Sequence, residues 1–515
     1  MYLVTAAEMQ QMDGDTIHSF GIPGRVLMEN AGRGTTRVLF DKFSATADKR
    51  LAVLAGRGNN GGDGFVVARC AAQRGLRVVV YLLASADRLT GDARANFDLL
   101  RPLDVPVVEI PDAERLADCK TAMAHHDIWV DAVFGTGLNS DIRGHYREAI
   151  DMVNRLHRPV LAVDMPSGIN ADTGRICGNC IRADATATFA FPKIGHVVLP
   201  GKTYTGSLEV IDIGIPPHIA SAVAPRQRLT TPAAVSSRLV RRQSGAHKGD
   251  TGHLLVIAGS TGKTGAAAMA CQAAMRTGAG LVSLGAPRSL NAVLETMLLE
   301  VMTVPLPETD TGSLSRQAGD PIARLLPGKR CLAIGPGLGM DAETGQLVRR
   351  LLPECEIPMV IDADGLNHIT GRPELFEKLK APAVLTPHPG EMARLTGLST
   401  SRVQHDRVNC ARDFATSTGT IVVLKGAGTI IAAPDGQVHV NPTGNPGMAA
   451  GGMGDVLTGM IAGLITQGCS PGMAAVAGVY LHGSAADALA SAGTPTGYLA
   501  SELLDRIPEQ LGAHL

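Results

Sequence analysis

The sequence predicts an α/β protein in which two domains each contain a mostly parallel sheet covered by helices. Short, nearly continuous apolar runs alternate with helix-like segments along most of the 515 residues, as is typical of parallel strands buried on both faces. A hydrophobic content of 45% against 18% charged residues excludes a disordered chain. The 60 glycines show no collagen-like period and cluster between the apolar runs, which indicates turns.

The first half is predicted to open with a helix and to continue with alternating strands and helices. Thr5 and Glu8 have the spacing of a capping box, which predicts a helix reaching about Ser19. Apolar runs predict strands, separated by helices, in four segments: 51–55, LRVVVYLLA, 128–134 and 160–165.

A proline-rich segment interrupts this alternation over 214–232. Four prolines in a weakly periodic stretch are typical of a boundary between domains. We therefore expect one domain over 1–222 and a second over 223–515.

The second half resumes the alternation and ends in helices rich in alanine, glycine and methionine. Its apolar runs predict strands over 253–258, 281–285, 331–335, 359–364, 383–388 and 420–426. Two further β-rich runs, TIIAA and QVHVN, follow the last of these. No internal repeat relates the two halves.

Composition and charge narrow the class of function. A net charge of −1 and an aromatic content of 3% provide neither the basic surface nor the stacking side chains that nucleic-acid binding uses. No apolar stretch is long enough for a membrane span, and the first residues lack a secretory signal pattern. The odd number of nine scattered cysteines predicts a reducing, cytoplasmic location. Cys177 and Cys180 form a lone C-x-x-C, only half of a zinc site.

Three predicted strands of the first half end in polar, glycine-rich clusters. They are NNGGDG (59–64), DAVFGTGL (131–138) and DMPSGINADTG (164–174). Carboxyl ends of parallel strands are where α/β sheets bind ligands. Consecutive glycines that precede a helix present backbone N–H groups suited to phosphate, although a tight turn would use the same residues.

Four side chains in these clusters offer oxygen atoms to a hard cation such as K⁺, Mg²⁺ or Ca²⁺: Asn60, Asp131, Asp164 and Ser167. Each is also an ordinary turn or cap former. Lys193 follows a further apolar run, where a lysine is a charge clamp, an acid or base, or simply a solvated side chain.

Together with MQQMD (9–13) and GIPGRVLMENAG (21–32), these strings resemble the N-terminal domain of the NAD(P)H-hydrate repair family, the NAD(P)HX epimerases. They span almost the whole half in the family's order. The resemblance implies a Rossmann-like three-layer domain that interconverts the R and S hydrates of NADH and NADPH, written NADHX and NADPHX.

The same resemblance implies the site residues. The dinucleotide would contact Asn59, Asn60, Gly61, Gly62, Asp63, Gly135, Thr136, Gly137, Leu138, Asn139, Ser140, Asp141 and Asp164. A K⁺ ion would be held by Asn60, Asp131 and Ser167. Asp164 and Lys193 are the candidates for the catalytic acid and base.

The strongest signal of the second half is NPGMAAGGMGDVLTG over 445–459. It contains a G-x-G-D core at the start of an apolar helix, where backbone N–H groups can hold a phosphoryl group. Asp455 in that turn can accept a proton from an attacking hydroxyl, or it can be an N-cap among packed glycines. GSTGKT over 259–264 is not a Walker A loop, because Ile257 occupies the position of the required first glycine.

With KGAGT (425–429), DADGLN (362–367) and TPHPGE (386–391), this motif resembles the ADP/ATP-dependent NAD(P)HX dehydratases of the ribokinase-like superfold. The resemblance covers roughly His247 to the C-terminus. It implies a hydrate site lined by Ala268, Gly337 and His388, with Asp455 as the base. It implies an adenine-nucleotide site formed by Lys425, Gly426, Ala427, Gly428, Thr429 and Gly454.

The fused order of the two halves resembles the bacterial bifunctional form, in which ADP, bound with Mg²⁺, supplies the phosphoryl group and AMP and phosphate are released. Phosphate is a better leaving group than hydroxide, so phosphorylation of the hydrate lets elimination restore NADH or NADPH. A homo-oligomer is expected. Two alternatives stay open. One is a ribokinase-type small-molecule kinase with a regulatory dinucleotide-binding domain. The other is a non-catalytic nucleotide-sensing or protein-binding module, against which the intact G-x-G-D argues.

Overall fold

Two sheets, each largely parallel, organise the chain. The computed structural model describes residues 1–46 and 48–515, which divide into two units over 1–227 and 228–515. In both units strands alternate with helices along the chain, so the predicted α/β class is confirmed. The proline-rich segment over 214–232 contains the division.

The first unit contains eight strands and nine α-helices, bounded as follows. The strands are β1 (Tyr2–Leu3), β2 (Arg50–Ala55), β3 (Arg77–Leu82), β4 (Val107–Glu109), β5 (Ile128–Ala132), β6 (Val160–Val163), β7 (Ala185–Phe189) and β8 (Ser207–Ile211). The helices are α1 (Ala6–Gly14), α2 (Gly24–Phe43), α3 (Asn59–Gln73), α4 (Gly91–Asp98), α5 (Ala113–Met123), α6 (Gly144–Arg155), α7 (Ile194–Val197), α8 (Lys202–Thr205) and α9 (Pro217–Val223). These counts refer to the described residues.

The sheet of the first unit has the order β4-β3-β2-β5-β6-β7-β8, with parallel neighbours. The order reverses beside β2, as in doubly wound nucleotide-binding folds, where ligands bind outside the strand ends at the reversal. The register pairs Leu54 with Asp131 and Asp131 with Ala162, so β2, β5 and β6 end at a similar level. This arrangement agrees with the Rossmann-like prediction.

Helices cover both faces of this sheet because successive side chains of a strand point to opposite sides. Leu51 and Val53 of β2 pack in a core with side chains of α1, α2 and α3. Ala52 and Leu54 pack on the other face with side chains of α5 and α6. All four are fully buried, which gives the unit three layers.

The N-terminal helix begins as predicted and ends differently. Thr5 and Glu8 form a reciprocal capping box at the start of α1. The α-helix stops at Gly14 and continues as a π-helical segment over Asp15–Phe20. The chain is therefore helical to about the predicted end near Ser19, but its last residues form a π-helix and not an α-helix.

In the second unit the strands are β10 (His253–Ile257), β11 (Leu281–Pro287), β12 (Met302–Leu306), β13 (Cys331–Ile334), β14 (Met359–Ile361), β15 (Ala383–Leu385), β16 (Ile421–Leu424), β17 (Ile430–Ala432) and β18 (Val438–Val440). Strand β9 (Gln227–Leu229) spans the division between the units. The helices are α10 (Pro232–Ser236), α11 (Thr264–Thr277), α12 (Asn291–Met297), α13 (Gly319–Leu325), α14 (Ala342–Glu354), α15 (Asp364–Ile369), α16 (Pro389–Thr396), α17 (Thr400–His405), α18 (Arg407–Thr418), α19 (Met453–Thr466), α20 (Pro471–Ala492) and α21 (Ala500–Gly512).

These strands follow the order β18-β17-β16-β15-β14-β13-β10-β11-β12. Neighbours from β16 to β12 are parallel, whereas β17 and β18 pair antiparallel, in line with the two β-rich runs of the sequence. Leu254 and Val256 of β10 pack in a core with α11, α19 and α20. Leu255 and Ile257 pack on the opposite face with α13 and α14.

Several strands end earlier than predicted. The runs over 359–364, 383–388 and 420–426 leave the sheet after Ile361, Leu385 and Leu424. The chain turns as soon as the polar residues begin, and Gly365 N–H donates to Asp362 O at 2.9 Å. The polar side chains that follow these three strands therefore lie at the carboxyl edge of the sheet. Among the described residues, no helix combines the length and apolar character that crossing a bilayer requires.

Candidate active sites

The polar clusters of the first unit lie at one edge of its sheet. They follow β2, β5 and β6, and the FPKIGH segment (191–196) follows β7. Because these four strands are parallel neighbours, their carboxyl ends lie at the same edge. The fold thus assembles the motifs that the sequence separates by more than one hundred residues.

The NNGGDG segment forms the first turns of the 15-residue helix α3. The N–H groups of a first helical turn have no partner within the helix and favour an anion. Gly61 allows the start of α3 to pack against the chain that leaves β2, because a Cβ there would lie 1.9 Å from the carbonyl oxygen of Gly56. At Gly62 a Cβ would lie 2.7 Å from Met28 Sδ. The segment can therefore bring backbone N–H groups to a phosphate.

A buried group of oxygen atoms lies after β5 and β6. Ser167 Oγ donates to Asp131 Oδ1 at 2.6 Å, and Ser167 N–H donates to Asp131 Oδ2 at 2.7 Å. Phe134 N–H donates to Ser167 Oγ at 2.8 Å. A Cβ on Gly135 would lie 3.1 Å from Asn60 Oδ1, so the Asn60 amide adjoins the group. Burial raises the pKa of Asp131 to about 6.

Lys193 is fully buried at the end of this edge, which excludes its reading as a solvated lysine. Its ammonium donates to Asp164 Oδ1, to Thr188 Oγ1 at 3.0 Å and to Phe189 O at 3.1 Å. His196 Nδ1 accepts from Lys193 N–H at 3.0 Å, so Nε2 carries the proton and donates to Asp164 O at 2.9 Å. Burial lowers the pKa of His196 to about 3, so the ring is neutral.

Asp164 has one oxygen occupied and one available. Its Oδ1 accepts from Lys193, Thr188 and Phe189 N–H, whereas Oδ2 has no hydrogen-bond donor among the described residues. Burial would raise the pKa of Asp164, but the ammonium of Lys193 outweighs it and the pKa is lowered. The residue also has a φ of +61°, a strained conformation outside glycine that is concentrated at functional sites.

Two further carboxyl groups face this pair. Burial raises the pKa of Asp13 to about 6 and that of Asp63 well above its usual range, and the charge of Asp164 adds to both shifts. Asp13 belongs to the MQQMD string at the end of α1. The site therefore sets an ionised carboxylate, Asp164, beside carboxyl groups that retain a proton more readily.

Only part of the loop after β5 contacts the buried residues of the site. Asn170 Nδ2 donates to Leu138 O at 3.2 Å, and Thr136 is half-buried. The side chains or backbone of four residues predicted to contact the dinucleotide are exposed: Gly137, Asn139, Ser140 and Asp141. The structure thus places Gly135 against Asn60 and leaves the outer part of the loop open to solvent.

The second unit also collects its motifs at the carboxyl edge of a sheet. GSTGKT follows β10, GPGLG (335–339) follows β13, and DADGLN follows β14. TPHPGE and KGAGT follow β15 and β16. Helix α19, which carries the G-x-G-D core, begins at the same edge.

The centre of this edge is a charged cluster around Asp362. Lys425 Nζ donates to Asp362 Oδ1 at 2.6 Å, and Thr458 Oγ1 donates to Oδ2 at 2.8 Å. Glu391 Oε2 lies 3.9 Å from Lys425 Nζ. Burial raises the pKa of Asp455 to about 7, and the negative charge of Asp362 adds to the shift. Asp455 can therefore exchange a proton near neutral pH.

The start of α19 is built on glycine. Gly452 is its N-cap with a φ of +89°, a conformation that favours glycine. A Cβ on Gly454 would lie 3.3 Å from Lys425 Nζ and 3.5 Å from Asp362 Oδ2. The backbone of the first turn thus adjoins the ammonium of Lys425, and both can hold a phosphoryl group.

The remaining predicted residues of the second site differ in exposure. Gly337 adjoins the GSTGKT turn, because a Cβ there would lie 2.8 Å from Lys263 O. Ala268 is buried in α11. His388 caps α16, accepting from Gly390 N–H at 3.0 Å, and its side chain is half exposed near Glu391. The last three residues of KGAGT precede β17, and Arg407 donates to Ala427 O at 2.8 Å.

Comparisons with known proteins identify the family of the chain. A family model described as YjeF-related protein N-terminus matches residues 24–195, and one described as NAD(P)H-hydrate dehydratase matches residues 254–509. A bifunctional NAD(P)H-hydrate repair enzyme of Moorella thermoacetica is 46% identical, over 99% of this chain and 96% of its own. Another from Salinibacter ruber is 39% identical, over 98% and 95%. The chain belongs to the bifunctional NAD(P)H-hydrate repair enzyme family.

One solved structure is similar to part of the chain. The ADP/ATP-dependent NAD(P)H-hydrate dehydratase from Bacillus subtilis, co-crystallised with ATP and Mg²⁺, is 33% identical with a TM-score of 0.49. The match covers 56% of this chain and 98% of that one.

Sequence reasoning missed two residues in the sites of this repair-family chain. Asp13 and Asp362 lie in the strings MQQMD and DADGLN, which contribute only to the resemblance at the level of sequence. Neither residue lies at a fixed sequence spacing from its charged neighbours, because folding alone brings them together. The one available signal was a carboxylate directly after an apolar strand, which applies to Asp362. Among the described residues, no three His, Cys, Asp or Glu side chains form a metal-binding group.

Proposed function

We propose that the chain repairs hydrated NADH and NADPH with two active sites. The domain over 1–222 epimerises the R and S hydrates, and the domain over 223–515 dehydrates the S form with ADP. The observation that carries this is the presence, in one chain, of two sites that each contain a paired carboxylate and lysine beside a glycine-rich helix start. Relatives that match nearly the full length are named bifunctional NAD(P)H-hydrate repair enzymes.

In the epimerase site we assign the base to Asp164. Its Oδ2 has no donor among the described residues and its pKa is lowered, so it is available as a carboxylate. Lys193 is fully buried, and its three acceptors come from the protein, so we propose that it acts by holding Asp164. We assign dinucleotide contacts to the α3 start and to the loop over 135–141.

We further propose that the oxygen group after β5 and β6 binds K⁺. Asp131 is 1% exposed and forms no ion pair within the described residues. Oxygen donors from Asp131, Ser167 and Asn60 suit a hard cation, which would neutralise the buried carboxylate beside the dinucleotide. Replacing K⁺ with a bulky organic cation should slow epimerisation and leave dehydration unchanged. Equal epimerase rates in both salts would contradict the assignment.

In the dehydratase site Asp455 is positioned to take the proton of the hydrate hydroxyl. The hydroxyl oxygen then bonds to the β-phosphorus of ADP while the bond to the bridging oxygen breaks, and AMP leaves. Lys425 and the backbone N–H groups of the first turn of α19 hold the transferring phosphoryl group. Mg²⁺ bound with ADP would neutralise phosphate charge. Elimination of phosphate from the ring then restores NADH or NADPH.

The deciding assay mixes the purified full-length chain with both hydrate epimers, Mg²⁺ and ADP. We expect dihydronicotinamide absorbance to recover fully from both epimers, with one AMP and one phosphate for each molecule repaired. A stable phosphorylated product would instead indicate the small-molecule kinase. Thermal stabilisation by ligands without turnover would indicate a sensor. A parallel reaction with ATP measures the preference for the donor.

We also propose a homo-oligomer in the cytoplasm. Exposed apolar side chains in α12, in the loop that follows and at the start of the edge strand β12 support self-association: Val293 is 50% exposed, Met297 41%, Leu299 86% and Met302 44%. The nine cysteines are free, which fits a reducing compartment. A monomeric mass by light scattering at micromolar concentration would contradict the oligomer.

A further inference from the structure

Asp362 connects three elements of the second site. It follows β14, is 1% exposed, and uses both carboxylate oxygens on side chains from other elements. Its Oδ1 accepts from Lys425 after β16 at 2.6 Å, and its Oδ2 accepts from Thr458 in α19 at 2.8 Å. A buried carboxylate whose two oxygens accept from a charged partner and from a hydroxyl partner is held in one orientation.

These contacts surround the turn that carries the predicted base. A Cβ on Gly454 would lie 3.3 Å from Lys425 Nζ and 3.5 Å from Asp362 Oδ2, so both groups press against the backbone of this turn. Asp455 is the next residue. Any displacement of Asp362 therefore moves the ammonium and the first turn of α19 relative to each other.

We propose that Asp362 is a positioning residue of the dehydratase: it holds the Lys425 ammonium and the start of α19 in the geometry that phosphoryl transfer requires. The inference deepens the proposed function and rests on it. Asp362 does not itself contact the phosphoryl group in this assignment, because both its oxygens are occupied by the protein. It acts through Lys425 and Asp455.

The same placement has an electrostatic consequence. Burial lowers the pKa of Lys425, but the negative charges of Asp362 and Glu391 outweigh it, so the pKa is raised and the ammonium stays charged. The charged groups that face Asp455 are Asp362, Lys425 and Asp364, and of these the two carboxylates raise its pKa. Beyond this shell, burial lowers the pKa of His482 in α20 to about 4, so it is neutral beside Lys425.

The test compares Asp362→Asn, Asp362→Glu and the unchanged full-length chain in pH–rate profiles of dehydration. Removing the charge should lower kcat, raise KM for ADP, and move the acid limb of kcat/KM to lower pH by about one unit or more. Asp362→Glu keeps the charge, so its acid limb should stay near that of the unchanged chain although kcat falls. Asp320→Asn, which removes an exposed carboxylate of α13, is the matched control and should change neither.

Unshifted acid limbs with equal rate losses in Asp362→Asn and Asp362→Glu would overturn the proposal and leave Asp362 a structural residue. If Asp362→Asn does not fold, Thr458→Val provides the second test. It removes one hydrogen bond and keeps the charge. KM for ADP should therefore rise about threefold, which corresponds to a loss of about 0.7 kcal/mol of binding free energy, and the acid limb should not move. Parameters equal to those of the unchanged chain would overturn the proposal. Absence of all dehydration in the unchanged chain would instead refute the proposed function.

Discussion

At the scale of single residues, we expect Asp455, as the proposed base, to make dehydration depend on pH. Burial and the charge of Asp362 raise its pKa to about 7, and a base must be ionised to accept a proton. We expect kcat/KM for dehydration of the S hydrate to fall about tenfold for each pH unit below about 7. The measurement is a pH–rate profile with saturating ADP.

Epimerisation in the same samples is the control, because its proposed base, Asp164, has a pKa shifted in the opposite direction. The lowered pKa of Asp164 keeps that carboxylate ionised well below pH 7. A dehydration rate that stays constant between about pH 5 and about pH 8 would show that Asp455 is not the base.

Residues that belong to a short motif could be named as candidates from the sequence, whereas those whose partners are set by packing could not. Asp455 and Asp164 each follow a recognisable glycine-rich or strand-end pattern. Asp13 reaches its charged neighbours from a helix more than one hundred residues earlier in the chain. Lys193 was a candidate from its position, but only the structure shows that its ammonium is enclosed by Asp164, Thr188 and Phe189.

At the scale of elements, the start of α3 depends on a glycine that touches the preceding strand end. A methyl group at Gly61 would lie 1.9 Å from the carbonyl oxygen of Gly56, so Gly61→Ala must displace the helix start. We expect a loss of about 1–3 kcal/mol of unfolding free energy for the first unit and a large loss of epimerase activity. Chemical denaturation and the epimerase assay measure the two effects.

Gly58→Ala is the matched comparison for stability. Gly58 lies three positions earlier, has an ordinary φ of −90°, and has no atom within 4 Å of an added Cβ. Its unfolding free energy should match that of the unchanged chain within about 0.5 kcal/mol. Equal stability of both alanine variants would show that α3 tolerates the displacement.

The centres of the elements could be predicted more accurately than their ends. Apolar runs located β2, β10 and β13 because burial on both faces requires continuous apolar sequence. The runs over 359–364 and 383–388 overestimated their strands, since hydrophobic pattern does not show where a chain turns out of the sheet. The change from α-helix to π-helix at Asp15 has no local signal in the sequence.

At the scale of the whole molecule, the alternation of strands and helices predicted two α/β units, but not the order of strands in either sheet. That order decides which strand ends lie side by side. In the first unit β2, β5, β6 and β7 are neighbours, so Asn60, Asp131, Asp164 and Lys193 gather at one edge. Strand order depends on long-range pairing, which a single sequence does not display.

If each unit holds a complete site, as we propose, inactive variants should complement each other in trans. Asp164→Asn should still dehydrate the S hydrate but consume the R hydrate at least about 100-fold more slowly, the usual contribution of an acid or base. Asp455→Asn should epimerise but release no phosphate. Each variant alone should therefore fail to convert the R hydrate to product at the normal rate.

An equimolar mixture of the two variants should restore conversion of the R hydrate. The S hydrate made by Asp455→Asn is a free small molecule, so it can diffuse to the intact dehydratase site of Asp164→Asn. The rate should rise with the concentration of either variant, and it is measured from the absorbance of the dihydronicotinamide formed. A mixture no faster than Asp164→Asn alone would show that the two steps require one chain or share residues, contradicting the separation of sites. If both variants lose both activities, the assignment of one activity to each unit is wrong.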